Sequence, residues 1–174
     1  MDQCIFCGIV AKQIPSTFVY EDDSTIAILD INPANKGHTL VMPKTHAETL
    51  MDIQSEELKK LIDTVQRVAN GLMKALNAEG INVLQNNKQV AGQAIPHIHF
   101  HVIPRFNEDG LHLGVLRQEK MGDDELKAVA EQIRNNIEVK KIEEVKEPEE
   151  KPVEKSKKRT KDEIYWMRRE LDLA

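Results

Sequence analysis

At 174 residues, with 40% apolar and 30% charged side chains, the chain has room for one globular domain with a real core and too little for two. A formal charge of −5 argues against a general nucleic-acid binder, which needs a basic face to displace counterions, and leaves a small phosphate-bearing ligand open. No apolar run approaches the roughly 20 residues of a membrane span, and "MDQCIFCGIV" lacks the basic and long apolar regions of a secretory signal, so a cytoplasmic protein is expected.

The chain has two cysteines, spaced Cys4-x-x-Cys7. Outside an oxidising compartment that spacing suits half a metal site or a redox pair. Thr17–Tyr20 and Thr25–Leu29 read as short strands on either side of an acidic turn. Asn32-Pro33 and Lys36-Gly37 punctuate the next loop, after which His38–Met42 reads as a strand ended by Pro43. From Ser55 the period changes: Leu58, Leu61, Ile62, Val65, Val68, Ala69, Leu72, Met73 and Leu76 recur every three or four residues. That spacing predicts an amphipathic helix capped by Ser55 and closed near Asn77 and Gly80.

"INVLQNN" from Ile81 predicts a strand, "KQVAGQAIP" a loop, and the run from His97 a second strand antiparallel to the first. Asp123–Ile137 returns to helical spacing, with Asp123 or Asp124 as cap, and is expected to close a domain spanning 1–137. Residues 138–159 are dominated by Lys and Glu, without an aromatic side chain, and read as a charged, disordered linker. Residues 160–174 begin with a capping box, Thr160 with Glu163, and carry Ile164, Trp166, Met167 and Leu171. A short helix is expected there, docked on its own domain or on a protein partner.

"HIHFHVIPR" is the densest signal in the chain. Side chains alternate across a strand, so His97, His99 and His101 share one face, about 7 Å apart, and Ile98, Phe100 and Val102 share the other. The apolar side faces a core and the three imidazoles an accessible surface. With six histidines in all, three in register form a site rather than scattered surface residues. Such a row suits a metal or a nucleophilic array, and spacing alone does not choose between them.

The triad, the "AGQAIP" before it and "LDINPANKGHTLVMPKTH" upstream together resemble the histidine-triad (HIT) family of nucleotide hydrolases and transferases, over roughly residues 1–137. The opening "CIFCGIVAKQIPSTFVYEDD" is similar to the branch with an N-terminal Cys-x-x-Cys. The resemblance implies an α+β fold, with an antiparallel sheet of about five strands and two main helices, and a homodimer. It also implies cleavage at the α-phosphate of a purine nucleotide conjugate, a dinucleoside polyphosphate or a nucleoside phosphoramidate, through a nucleotidyl-histidine. His99 would be the nucleophile, His101 would contact the phosphate, and His38 would hydrogen-bond into the triad. Gln93 and Gly92 would approach the transferred phosphate and Asn86 would line its pocket, while Asp30 would bind the ribose and Ile31 flank the base.

The same resemblance implies one structural zinc ion per chain on Cys4, Cys7, His46 and His97. A polyphosphate substrate can arrive as a magnesium complex, which leaves a second metal open. Ala94 stands where many members carry a hydroxyl residue, and the C-terminal segment of the phosphoramidase branch has no counterpart. Two other readings use these residues: a non-catalytic nucleotide-binding or interaction protein with a structural zinc site, and a zinc hydrolase ligated by all three triad histidines. Arg105 reads as a contact to a distal phosphate or as a solvated charge.

Overall fold

The computed structural model describes residues 4–112 and 121–137. The chain divides into two units, one reaching to Leu116 and one beginning at Arg117. The first holds helices α1 (Ile5–Val10) and α2 (Ser55–Leu76) and strands β1 (Phe18–Glu21), β2 (Thr25–Leu29), β3 (Thr39–Pro43), β4 (Gly80–Leu84) and β5 (Phe100–Arg105). The second holds α3 (Asp123–Asn136), which begins after Gly122 rather than after an aspartate cap. The expected linker at 138–159 and helix at 160–174 lie outside the described residues. Among the described residues, no helix is long and apolar enough to cross a membrane.

The five strands form one antiparallel sheet in the order β1-β2-β3-β5-β4. Both faces of its centre are covered, which explains why "TIAI" and "TLVMP" are apolar almost throughout instead of alternating. Ala27, Val41, Ile98, Phe100 and Val102 pack with Leu61, Val65 and Val68 of α2. Ile26, Ile28, Leu40 and Met42 point the other way, onto Phe6 and Ile9 of α1. Across the ladder His101 stands opposite Leu40, so the triad face is the face that α1 covers.

Four expectations are corrected. The strand carrying the triad begins at Phe100, so His97 and His99 precede it in non-repetitive backbone, although their alternation persists. The triad face is not an open surface: His97 is fully buried and His99 is 6% exposed, because the cysteine segment folds as α1 over it. Gln54, not Ser55, caps α2, and no side chain bonds back to that helix start. His38 lies just before β3 rather than inside it. The close of α2 is as the sequence predicts, with Asn77 left-handed at φ 51°.

One glycine is required by both backbone and space. Gly37 has φ 89°, and a Cβ there would strike Leu76 Cδ1 and lie 3.3 Å from Pro104 Cγ. Gly37→Ala therefore combines strain with overpacking and should destabilise the fold by about 1–3 kcal/mol. A urea-denaturation midpoint equal to the parent's would contradict this.

Candidate functional site

Helix α1 brings Cys4 and Cys7 to the buried end of the triad. The Nδ1 of His97 lies 3.5 Å from Cys4 Sγ, 3.6 Å from Cys7 Sγ and 3.3 Å from His46 Nδ1, and Cys7 Sγ lies 3.4 Å from His46 Nδ1. All four donor atoms fall within 4.8 Å of one another. A tetrahedral zinc centre, with Zn–S near 2.3 Å and Zn–N near 2.0–2.1 Å, has donor–donor edges of about 3.3–3.8 Å. The residues therefore fit zinc in donor type, number and spacing. His97 is also aimed: its Nε2–H donates to the Pro43 carbonyl at 3.0 Å, which leaves Nδ1 as the lone-pair atom facing the thiols. Burial pushes His97 down to about 4, keeping it a neutral donor.

The backbone of His97 serves its neighbour. His99 Nδ1–H donates to the His97 carbonyl at 2.7 Å, so His99 Nε2 carries the free lone pair. Phe6 stands edge-on to both imidazoles, 5.9 Å from His97 and 5.1 Å from His99 between ring centroids. His99 and His101 line a cavity of about 400 Å³. Its remaining wall is mostly apolar, from Phe6, Ile9, Ile14, Ile28, Leu40 and Ile95, with Asp30 and the 89%-exposed Ile31 at the mouth. One Asp30 oxygen, Oδ1, accepts the Asn32 N–H at 2.8 Å.

A second histidine pair sits on the far side of the triad. The Ala34 N–H donates to His38 Nδ1 at 3.1 Å, which places the proton of His38 on Nε2. That nitrogen lies 3.0 Å from His101 Nδ1 and donates to it, so His101 carries its own proton on Nε2. Asp30 Oδ2 stands 3.5 Å from His38 Nδ1, too far for a hydrogen bond. Burial lowers His38, and burial together with His99 and His38 pushes His101 down to about 4, so both stay neutral. The array thus offers a lone pair on His99 and, on the neighbouring imidazole 4.9 Å away between centroids, an N–H donor. That pairing suits attack on an electrophile whose oxygens need stabilising.

Other expected site residues lie apart from this cavity. The Gln93 amide is spent on the backbone: Oε1 accepts the Lys88 N–H at 2.6 Å and Nε2 donates to the Glu48 carbonyl at 2.6 Å. This pins Lys88 at φ 68° and ψ 159°, a conformation nearly reserved to glycine. Gln93 instead lines a neighbouring groove with Glu48 and Lys88, which meets the triad cavity at Ala94. Gly92 has φ 90°, and a Cβ there would lie 3.5 Å from Asn86 Nδ2. Arg105 is part-exposed and engaged within its own loop: it forms a bidentate pair with Asp109 at 2.7 and 2.8 Å. The sequence reading missed the apolar wall contributed by α1. The spacing of Ile5, Phe6 and Ile9 was its one available signal.

Residues 11–108 match the HIT domain model. The chain is 40% identical to an adenosine 5'-monophosphoramidase of Schizosaccharomyces pombe, over 77% of this chain and 98% of that protein. It resembles the crystal structure of a HIT family member from Bacillus subtilis with a TM-score of 0.73 and 36% identity, covering 80% of this chain and all of the other. A zinc-bound histidine triad family protein from Mycobacterium smegmatis superposes with a TM-score of 0.61 and 36% identity, over 76% of this chain and 96% of that one. With the domain match spanning more than half the chain, and with the sheet, the buried triad and the cysteine-histidine cluster in place, the protein belongs to the HIT family.

Proposed function

We propose that the chain hydrolyses or transfers nucleotidyl groups, cleaving purine nucleotide conjugates at the α-phosphate through a nucleotidyl-His99 intermediate. The observation that carries this reading is the bond from His99 Nδ1–H to the His97 carbonyl, which leaves Nε2 as the lone-pair atom of an imidazole lining a nucleotide-sized cavity. His99 Nε2 attacks phosphorus, the P–N or P–O bond to the leaving group breaks, and water then cleaves the Nε2–P bond to release the nucleoside monophosphate. His101 Nε2–H donates to a non-bridging oxygen on which charge develops. Asp30 Oδ2 accepts from the ribose hydroxyls, and the apolar wall of Phe6, Ile9 and Ile95 takes the base. Gln93 acts here by holding the Lys88 loop beside the cavity rather than by touching phosphate. The relative named as an adenosine 5'-monophosphoramidase supports a phosphoramidate as one substrate class.

Cys4, Cys7, His46 and His97 would hold zinc as a closed four-ligand site, which supplies structural cross-linking and leaves no open position for substrate. Cys4 and His97 belong to different segments, so the cluster ties α1 to the approach to β5. A three-histidine zinc hydrolase is disfavoured, because His97 Nδ1 faces Cys4, Cys7 and His46, and the donor cluster that contains it includes neither His99 nor His101. A binding protein without catalysis draws support from Ala94, which brings no hydroxyl to the cavity wall.

His99→Asn should lower turnover of an adenosine phosphoramidate and of a dinucleoside polyphosphate by at least about a thousand-fold while leaving nucleotide binding within a few-fold. Near-normal turnover of either substrate would refute the nucleophile, and a parent protein inactive on both would favour the binding reading. In Cys4→Ser and Cys7→Ser proteins, zinc measured by atomic emission should fall well below one ion per chain, with a lower melting temperature. Full zinc occupancy in both would disprove the ligand set. His38 and His101 are neutral when folded and titrate near their ordinary values when unfolded, so the unfolded state binds more protons as the medium is acidified. Stability measured by denaturant should therefore fall from about pH 6.5 towards pH 4, and a flat profile across that window would contradict their burial as neutral groups.

A further inference from the structure

The relay from Ala34 through His38 to His101 has two self-consistent proton arrangements, and a surface-loop asparagine is placed to select one. In the arrangement described, the Ala34 N–H fills the lone pair of His38 Nδ1 and every proton along the relay points towards the cavity. The alternative needs no large movement. Asp30 Oδ2 already lies 3.5 Å from His38 Nδ1 and would accept a proton placed there. His38 Nε2 would then face His101 with a lone pair, His101 would protonate on Nδ1, and its Nε2 would present a lone pair to the cavity. An imidazole lone pair repels phosphate oxygens where an N–H attracts them.

The choice between the two rests on where the Ala34 N–H points, and Asn35, the next residue, anchors the loop that carries it. Asn35 Nδ2 donates to the Pro104 carbonyl at 3.1 Å and to Asp109 Oδ2 at 3.0 Å. Its own carbonyl accepts the His38 N–H at 3.0 Å, closing the turn of residues 35–38 directly after Ala34. Asp109 is itself immobilised: its carboxylate takes the Arg105 guanidinium and the N–H groups of Phe106, at 3.1 Å, and Leu111, at 2.9 Å. The Asp109 side chain is only 7% exposed, so this anchor is largely shielded from competing water.

We infer that Asn35, held by the Arg105–Asp109 pair, is a positioning residue that sets the tautomer of His38 and through it the N–H that His101 offers to substrate. The inference rests on the proposed role of His101 at phosphate. It assigns a purpose to Asn35, Arg105 and Asp109, none of which lines the cavity. It also makes the position of His101's proton a property of a loop anchored on the far end of β5.

The test uses the full-length, zinc-loaded protein with Asn35→Ala, and Asp109→Asn as a second route to the same loosening. Long-range proton–nitrogen correlation spectra read the tautomer of each imidazole without reference to activity. The parent should show protonated Nε2 on both His38 and His101. Asn35→Ala should move both towards protonated Nδ1 and lower kcat on an adenosine phosphoramidate by about ten- to a hundred-fold, with KM changed less than about three-fold. Unchanged tautomers in Asn35→Ala would overturn the inference, even if activity fell, since the loss would then be merely structural. So would shifted tautomers with undiminished kcat. Should Asn35→Ala prove unstable, Asp109→Asn carries the same readouts and the same two contradicting outcomes. If His99→Asn retained turnover, the nucleotidyl-transfer reading would fail, while the nitrogen spectra would still decide what Asn35 does.

Discussion

His97 is the residue on which the rest of the site depends, because three of its groups are committed in three directions. Its Nε2–H is anchored on the Pro43 carbonyl, its Nδ1 faces two thiols and the His46 imidazole, and its backbone carbonyl accepts the proton of His99. A ring rotation at His97 would break the Pro43 bond and the cysteine–histidine cluster together, and a shift of its backbone would release the imidazole of His99. Complete burial enforces the arrangement: a buried imidazole with an unmade hydrogen bond would lose on the order of 1–3 kcal/mol. In the proposed reading, zinc contributes to catalysis only through this geometry. Zinc there would fasten α1 over the triad face, and α1 supplies both the edge-on Phe6 ring and part of the apolar cavity wall.

A common electrostatic theme runs through the histidines. Burial disfavours the charged form of His38, His97, His99 and His101, and the Asp30 carboxylate offsets this only in part, at His38, His99 and His101. The site therefore works with neutral imidazoles whose protons are distributed by neighbours: the His97 carbonyl for His99, and the Ala34 amide for His38 and so for His101. Fixed tautomers, rather than charge, distinguish the lone-pair donor from the hydrogen-bond donor on two imidazoles of identical type.

Much of this was legible in the sequence, for definite reasons. Period-two alternation placed Ile98, Phe100 and Val102 opposite the imidazoles, and the structure buries those three under α2. The helical period from Leu58 onward likewise found α2, with Leu61, Val65 and Val68 at its buried face. What alternation does not encode is which face is covered. A row of histidines reads as polar and exposed, and only tertiary contact with α1 makes it an interior. Helix α1 itself is six residues long and lacks a side-chain cap, so local sequence leaves it nearly silent. Strand boundaries slipped by one to three residues for a related reason: His97 and His99 keep the strand-like alternation, but the His97 backbone bonds the Ile95 carbonyl and the His99 imidazole instead of a ladder. The partners of Arg105 and Gln93, Asp109 for one and Lys88 and Glu48 for the other, were not legible because they are backbone or loop groups that no motif announces.

The proposed mechanism requires a covalent bond between His99 Nε2 and the α-phosphorus during turnover. Its most direct test is rapid acid-free quenching of the zinc-loaded protein with an adenosine phosphoramidate, followed by mass spectrometry of the peptide that contains the triad. A nucleotidyl adduct should form and decay at least as fast as turnover and map to His99. Turnover without an adduct, or an adduct on His101 instead, would contradict it.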